Sequence, residues 1–113
     1  MSIAVIYTDL DGTLLDHHTY SFAEALETVH ALRDRGIPIV PCTSKTRAET
    51  AELMNAAGLS GPMIVENGAA IWVPNDWGLS RPTGAEDTSE AWCHSFGPSR
   101  GMIRRQLAIL NVE

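Results

Sequence analysis

The sequence has a single lysine, only two cysteines and few basic residues of any kind, and each shortage removes a class of function. Fourteen acidic side chains against eight basic ones give a formal charge of -6. That balance leaves no positive surface to gather nucleic acid and disfavours an anionic membrane. Cys42 and Cys93 lie far apart without Cys-x-x-Cys spacing, so neither a zinc site nor a disulfide framework is implied, and a reducing cytoplasm fits best. Long hydrophobic runs are also missing. Residues 1–7 are apolar, but no basic segment precedes them and they lead straight into Asp9 and Asp11, which argues against both a leader peptide and a membrane span. What remains is 113 residues, 44% of them hydrophobic, enough for one packed domain or one and a piece.

The pattern along the chain is strand, helix, strand, helix. Residues 3–8 form a short β-branched apolar run that suits a strand buried on both faces of a parallel sheet. Ser21 and Glu24 have the spacing of a capping box, and Phe22, Leu26, Val29 and Leu32 recur at helical intervals until Gly36. A second apolar run over 37–41 precedes another capping box, Thr46 with Glu49, and a helix that ends near Gly58. Right-handed crossovers place the two strands parallel, with their carboxyl ends opening on one crevice. Residues 62–66 predict a third strand, and Asn67-Gly68 a tight type I′ hairpin into 69–73. Residues 75–90 are rich in Gly, Pro, Asp, Ser and Thr and read as a loop or domain junction, followed by a short strand over 92–96 and a helix over 99–110.

The chemistry concentrates in Asp9-Leu10-Asp11-Gly12-Thr13, directly after the first strand, where an open α/β sheet has its crevice. Of two carboxylates so spaced, one can attack phosphorus while the other handles the leaving-group proton. Gly12 permits a turn that aims backbone N–H groups, with Thr13 beside them, at a phosphate. The oxygen-rich cluster suits Mg²⁺, which keeps several waters and needs few carboxylates. The plain alternative is an Asp-Gly turn. A calcium-binding EF-hand loop fails, because its glycine belongs at position six and Gly12 is fourth from Asp9. Thr43, Ser44 and Thr46 stand where the second helix would aim its N-terminus at the same crevice, although all three are also ordinary capping residues. Lys45 and Arg47 are candidates for a phosphate or carboxylate, or else solvated surface charge. Glu66, Asn67 and Gly68 have the hairpin turn as their alternative reading. His17, His18, His30 and His94 show no metal-ligand spacing, and Trp72, Trp77 and Trp92 suit packing better than a sugar pocket.

The segment DLDGT after an N-terminal strand resembles the first motif of the haloacid dehalogenase superfamily. Together with Pro41-Cys42-Thr43-Ser44-Lys45-Thr46-Arg47 and Ile64-Val65-Glu66-Asn67-Gly68-Ala69, in that order, it is similar to the mannosyl-3-phosphoglycerate phosphatase family. The resemblance implies a Rossmann-like parallel sheet forming the N-terminal half of the core over 1–74, with a β-hairpin, and a linker and the start of a cap domain over 75–113. It implies that Asp9 forms an aspartyl-phosphate and that Asp11 acts as general acid and then base. Mg²⁺ would be held by the Asp9 carboxylate and the Asp11 backbone carbonyl. Thr43, with Ser44 as the fallback, would hold the transferred phosphoryl group, and Asn67 would lie near the active site and cap. The substrate would be a phosphorylated sugar or glycerate-type small molecule.

The superfamily's later lysine and its GDxxxD-type acidic motif do not occur: Lys45 is the only lysine and no Gly-Asp pair exists. The expectation is therefore an N-terminal fragment or truncated product, with weak Mg²⁺ binding, reduced or absent catalysis, and self-association through an unpaired sheet edge.

Overall fold

The computed structural model describes residues 5–19 and 21–110. Ile3 and Ala4 of the expected first strand lie outside the described residues. The remainder forms β1 (Ile6–Thr8), which pairs in parallel with β2 (Ile39–Pro41), Tyr7 opposite Val40. Just past β2, the Cys42 N–H donates to the Thr8 carbonyl at 2.7 Å and the Thr43 N–H to the Ile64 carbonyl at 3.0 Å. The second bond and a parallel bridge between Cys42 and Ile64 attach β3 (Met63–Val65), so three carboxyl ends converge. Among the described residues β1 has β2 as its one ladder partner, and its other edge is open.

The intervening helices, α1 (Leu26–Asp34) and α2 (Arg47–Ala56), cover one side of this parallel layer. Val29 of α1, Ile39 of β2 and Met54 of α2 share a buried cluster with Leu10 and Leu15. Both helices stop in the same way. Gly36 and Ile37 donate to the carbonyls of Arg33 and Leu32, and Gly58 and Leu59 to those of Asn55 and Met54, which satisfies the carbonyls a helix end would otherwise leave bare.

The two expected capping boxes part company. At α2 the Thr46 hydroxyl accepts from the Glu49 N–H at 3.3 Å and the Glu49 carboxylate accepts from the Thr46 N–H at 2.9 Å. At α1 the box is not made: Ser21 Oγ accepts from the Ala23 N–H, and the helix begins only after Ala25, which makes no side-chain cap. The cause is Phe22, whose side chain is buried in the core while its carbonyl takes the amides of both Ala25 and Leu26. Residues 22–25 are thereby wound into a lead-in turn, and the Ser21–Glu24 pair sits ahead of the helix rather than on it.

Removing the real cap carries a defined penalty. Thr46→Ala should destabilise the protein by about 1 kcal/mol, read as a lower urea midpoint with unchanged slope. The effect should shrink in acid. Hydrogen bonds from the Thr46 backbone and then its side chain hold the Glu49 carboxyl below its ordinary value. A depressed carboxyl stabilises the fold above its unfolded pKa and loses that contribution as the pH falls through the folded value.

β3 turns back antiparallel into β4 (Ala70–Pro74), with Val65 opposite Ala70, so the connection is four residues long and not the two-residue Asn67-Gly68 turn expected. Glu66, Asn67 and Gly68 all have positive φ, at 52°, 57° and 86°. The reason lies outside the hairpin. The Glu66 N–H donates to the Lys45 carbonyl and the Asn67 N–H to the Thr43 carbonyl, each at 3.0 Å, which draws the chain out of the ladder one residue early.

Residues 75–90 are largely irregular, as expected, holding a short 3₁₀ turn (Asn75–Trp77) and β5 (Glu86–Asp87). The chain nevertheless returns to the sheet. β6 (Ala91–Ser95) pairs antiparallel along all of β4, giving the order β3-β4-β6-β5, before α3 (Arg100–Ile109), which is capped by Ser99. Among the described residues no helix is long and apolar enough to cross a membrane.

Candidate active site

Asp9 is the first residue past the described end of β1 and is exposed. Its Oδ1 accepts from the Leu10 N–H at 2.8 Å, and its carbonyl accepts from the Thr8 hydroxyl at 2.9 Å. Leu10 is fully buried, and its carbonyl accepts from the amides of Thr13 and Leu15, at 3.2 and 2.7 Å. One apolar side chain driven into the core thus fixes the loop and leaves the flanking Asp9 and Asp11 exposed. Gly12 closes the turn at φ 74°, a conformation that costs most side chains strain.

An open cavity of about 510 Å³ is lined by Asp9, Cys42, Thr43, Ser44, Ile64, Asn67 and Gly68. Four of the sequence-selected residues, Asp9, Thr43, Ser44 and Asn67, therefore meet around one space, supplied by the segments that follow three parallel strands. Thr43 is buried to 4% exposure, and its Oγ1 accepts from the Lys45 N–H at 3.1 Å, which leaves the hydroxyl proton free to donate. Neither Lys45 nor Asp11 is in that lining; they pair with each other, Lys45 Nζ lying 3.3 Å from Asp11 Oδ1.

Other candidates are held elsewhere. Gly12 and Thr13 line a neighbouring hollow with Asp16 and Glu24. Arg47 does not line the Asp9 cavity: its guanidinium carbon lies 4.3 Å from the centroid of the Trp72 ring, in a groove with Met54, Asn55 and Glu90. Aromatic stacking thus occupies the cation that the sequence offered to a ligand carboxylate. His17 and His18 pack edge to face in an exposed loop, ring centroids 5.3 Å apart.

Cys42 is the residue that sequence reasoning passed over, although its place just before Thr43 was a signal. It shares the cavity with Asp9, where a cysteine invites a thiolate mechanism. Burial first, and the neighbouring Asp9 charge second, push its thiol above the ordinary value. The protonated thiol is a poor nucleophile, which argues against a thiolate mechanism at Cys42.

A family profile described as haloacid dehalogenase-like hydrolase matches residues 6–90. The chain belongs to this family. A glucosyl-3-phosphoglycerate/mannosyl-3-phosphoglycerate phosphatase of Persephonella marina is 47% identical over 73 residues, 65% of this chain and 27% of the relative. A phosphatase of the same name from Methanococcoides burtonii is 47% identical over 72 residues, 64% of this chain and 26% of the relative. The chain thus spans about a quarter of the length of the curated relatives it matches. Among solved structures, a haloacid dehalogenase-like hydrolase from Bacillus subtilis superposes with a TM-score of 0.59 over 96% of this chain and 33% of that one, at 22% identity, a likeness of fold. A phosphatase of the same superfamily from Bacteroides thetaiotaomicron gives 0.54 at 29% identity, over 63% of this chain and 26% of that one.

The donor set of this haloacid dehalogenase-like site is compatible with a hard divalent cation. Asp9 and Asp11 offer carboxylate and carbonyl oxygen, the donors such an ion prefers. It is also sparse. Among the described residues no three His, Cys, Asp or Glu side chains gather, so most of the coordination shell would be water.

Proposed function

We propose that the chain carries the nucleophile side of a Mg²⁺-dependent phosphomonoesterase site that works through an aspartyl-phosphate on Asp9, with mannosyl-3-phosphoglycerate as substrate. The observation that supports it best is the cavity joining Asp9 to Thr43, Ser44 and Asn67. Residues 1–74 are assigned to the core, and 75–113 to a linker and the start of a cap.

In this reading an Asp9 carboxylate oxygen attacks phosphorus in line, forming a carboxyl–phosphorus bond as the bond to the sugar oxygen breaks. Asp11 donates its proton to that departing oxygen. Lys45 then faces a new carboxylate at 3.3 Å and stabilises it, which favours the transfer. In the second half Asp11 takes a proton from water, which displaces phosphate from Asp9. The Thr43 hydroxyl, with Ser44 beside it, donates to phosphoryl oxygens throughout. The Asp9 carboxylate and the Asp11 carbonyl would hold a Mg²⁺, which when bound would neutralise charge on the phosphoryl group.

The ion pair also favours a second reading. In it, with Asp11 engaged by Lys45 and two carboxylates for a cation among the described residues, the 113-residue chain is slow or silent on its own, a binding or association module rather than a working enzyme. Phosphate release in Mg²⁺ from mannosyl-3-phosphoglycerate, glucosyl-3-phosphoglycerate and a simple phosphomonoester separates the possibilities. Preferential turnover of the mannosyl ester is expected; equal rates would reject the substrate, and no release from any ester would leave the binding reading standing.

A further inference from the structure

We propose that Asn67 determines specificity for the departing group of a phosphoester, by hydrogen bonds to a hydroxyl on that group, and takes no part in holding the phosphoryl group; the role rests on the phosphomonoesterase reading of the Asp9 cavity. Asn67 lines that cavity, is exposed, and its carboxamide makes no hydrogen bond among the described residues. A carboxamide combines two donors and an acceptor on a neutral group, the pairing that a hydroxyl uses in full, whereas a phosphoester dianion only accepts. Its backbone is held at φ 57° and ψ 35°, between Glu66 at φ 52° and Gly68 at φ 86°. Asparagine tolerates this region better than most residues, but glycine enters it without strain. The usual use of an Asn-Gly pair, a two-residue hairpin turn, is also absent, because Val65 already pairs with Ala70 across a four-residue connection. The turn itself therefore does not call for asparagine.

The position of Asn67 in the cavity suits the departing group. From the β3 side the lining is Ile64, Asn67 and Gly68, which makes Asn67 the one polar side chain of that wall. The Asn67 N–H donates to the Thr43 carbonyl at 3.0 Å, so the two residues are adjacent, but they differ in depth. Thr43 is 4% exposed and keeps its hydroxyl proton for a phosphoryl oxygen, whereas Asn67 stands at the open rim. In-line attack by Asp9 puts the departing oxygen on the far side of phosphorus, so the departing group extends away from the nucleophile. At about 510 Å³ the cavity falls within the range of about 300–1,000 Å³ usual for small-molecule sites, which gives room for more than a phosphoryl group. A site built to hydrogen-bond a hydroxyl discriminates against an analogue that lacks it.

The test is binding, measured on the intact chain in Mg²⁺ with Asp9→Asn as the background so that no ester is consumed. Inorganic phosphate, propyl phosphate and glycerol 3-phosphate are added in turn, and the backbone amides of Thr43 and Ser44 and the side-chain amide of Asn67 are followed by NMR. The two esters carry the same phosphate on the same three-carbon chain and differ only in their hydroxyls. All three ligands should shift Thr43 and Ser44, and only glycerol 3-phosphate should shift the Asn67 side chain. It should bind about three- to tenfold more tightly than propyl phosphate, the contribution of one or two hydrogen bonds. Asn67→Gly, which the left-handed backbone accommodates, should abolish that preference and leave the affinity for inorganic phosphate unchanged; a purely structural asparagine would be replaced by glycine without loss. Asn67→Ala is the second variant should Asn67→Gly loosen the turn. A preference that survives in the variants, or no preference in the parent, overturns the proposal while the phosphomonoesterase reading stands. Equal weakening of all three ligands by Asn67→Gly also overturns it and assigns Asn67 to the phosphoryl group. No shift at Thr43 or Ser44 with any ligand overturns the phosphomonoesterase reading itself, and this role with it.

Discussion

Asp9→Asn is expected to reduce Mg²⁺-dependent phosphate release by on the order of 10³-fold or more while leaving the protein folded. The two halves of that result have separate causes. Structurally, the Asp9 side chain is exposed, and its hydrogen bond from the Leu10 N–H can be accepted equally by an asparagine oxygen, so stability should move by no more than about 0.5 kcal/mol. Chemically, the neutral amide lacks the charge that attacks phosphorus, and the covalent intermediate cannot form. A phosphoryl label released by hydroxylamine, as an acyl phosphate is, should appear on the unmodified chain and be missing from the variant. Undiminished turnover by Asp9→Asn would remove Asp9 from the mechanism and return attention to Cys42.

Leu10→Ala should have the opposite signature: a large loss of stability, about 2–5 kcal/mol, from a residue that touches no ligand. Leu10 is at 0% exposure in the cluster that also holds Val29, Ile39 and Met54, so truncation opens a cavity between α1, α2 and β2. A typical domain is stable by only about 5–15 kcal/mol, which makes this one change a large share of the total. Urea denaturation followed by circular dichroism reads it directly. Activity should fall further than the folded fraction does, because Leu10 also keeps Asp9 and Asp11 on the outer side of the loop. A change below about 1 kcal/mol would contradict its role as the anchor.

The features legible in the sequence were those encoded locally. The alternation of strand and helix follows from short apolar runs and helical spacing, and the α2 cap from two residues three apart. The three motifs that resemble the family converge in space because each follows a parallel strand, a relation that topology alone supplies. What could not be read depends on partners distant in the chain. Ser21 and Glu24 have the letters of a cap, but the burial of Phe22 winds the lead-in differently. Asn67-Gly68 has the letters of a two-residue turn, but backbone carbonyls at Thr43 and Lys45 claim the amides first. Lys45 against Asp11 and Arg47 against Trp72 illustrate the same point for charge: a cation's partner is decided by the fold, and neighbours in sequence do not reveal it.

The pair of backbone bonds from Glu66 and Asn67 to Lys45 and Thr43 has a consequence for how the cavity meets a ligand. Segments from two different parts of the chain are clamped to each other by main-chain atoms, which no substitution short of proline removes. Their relative freedom is surrendered during folding, so an arriving phosphate need not organise the wall that receives it, and less of its binding free energy is lost to ordering the protein.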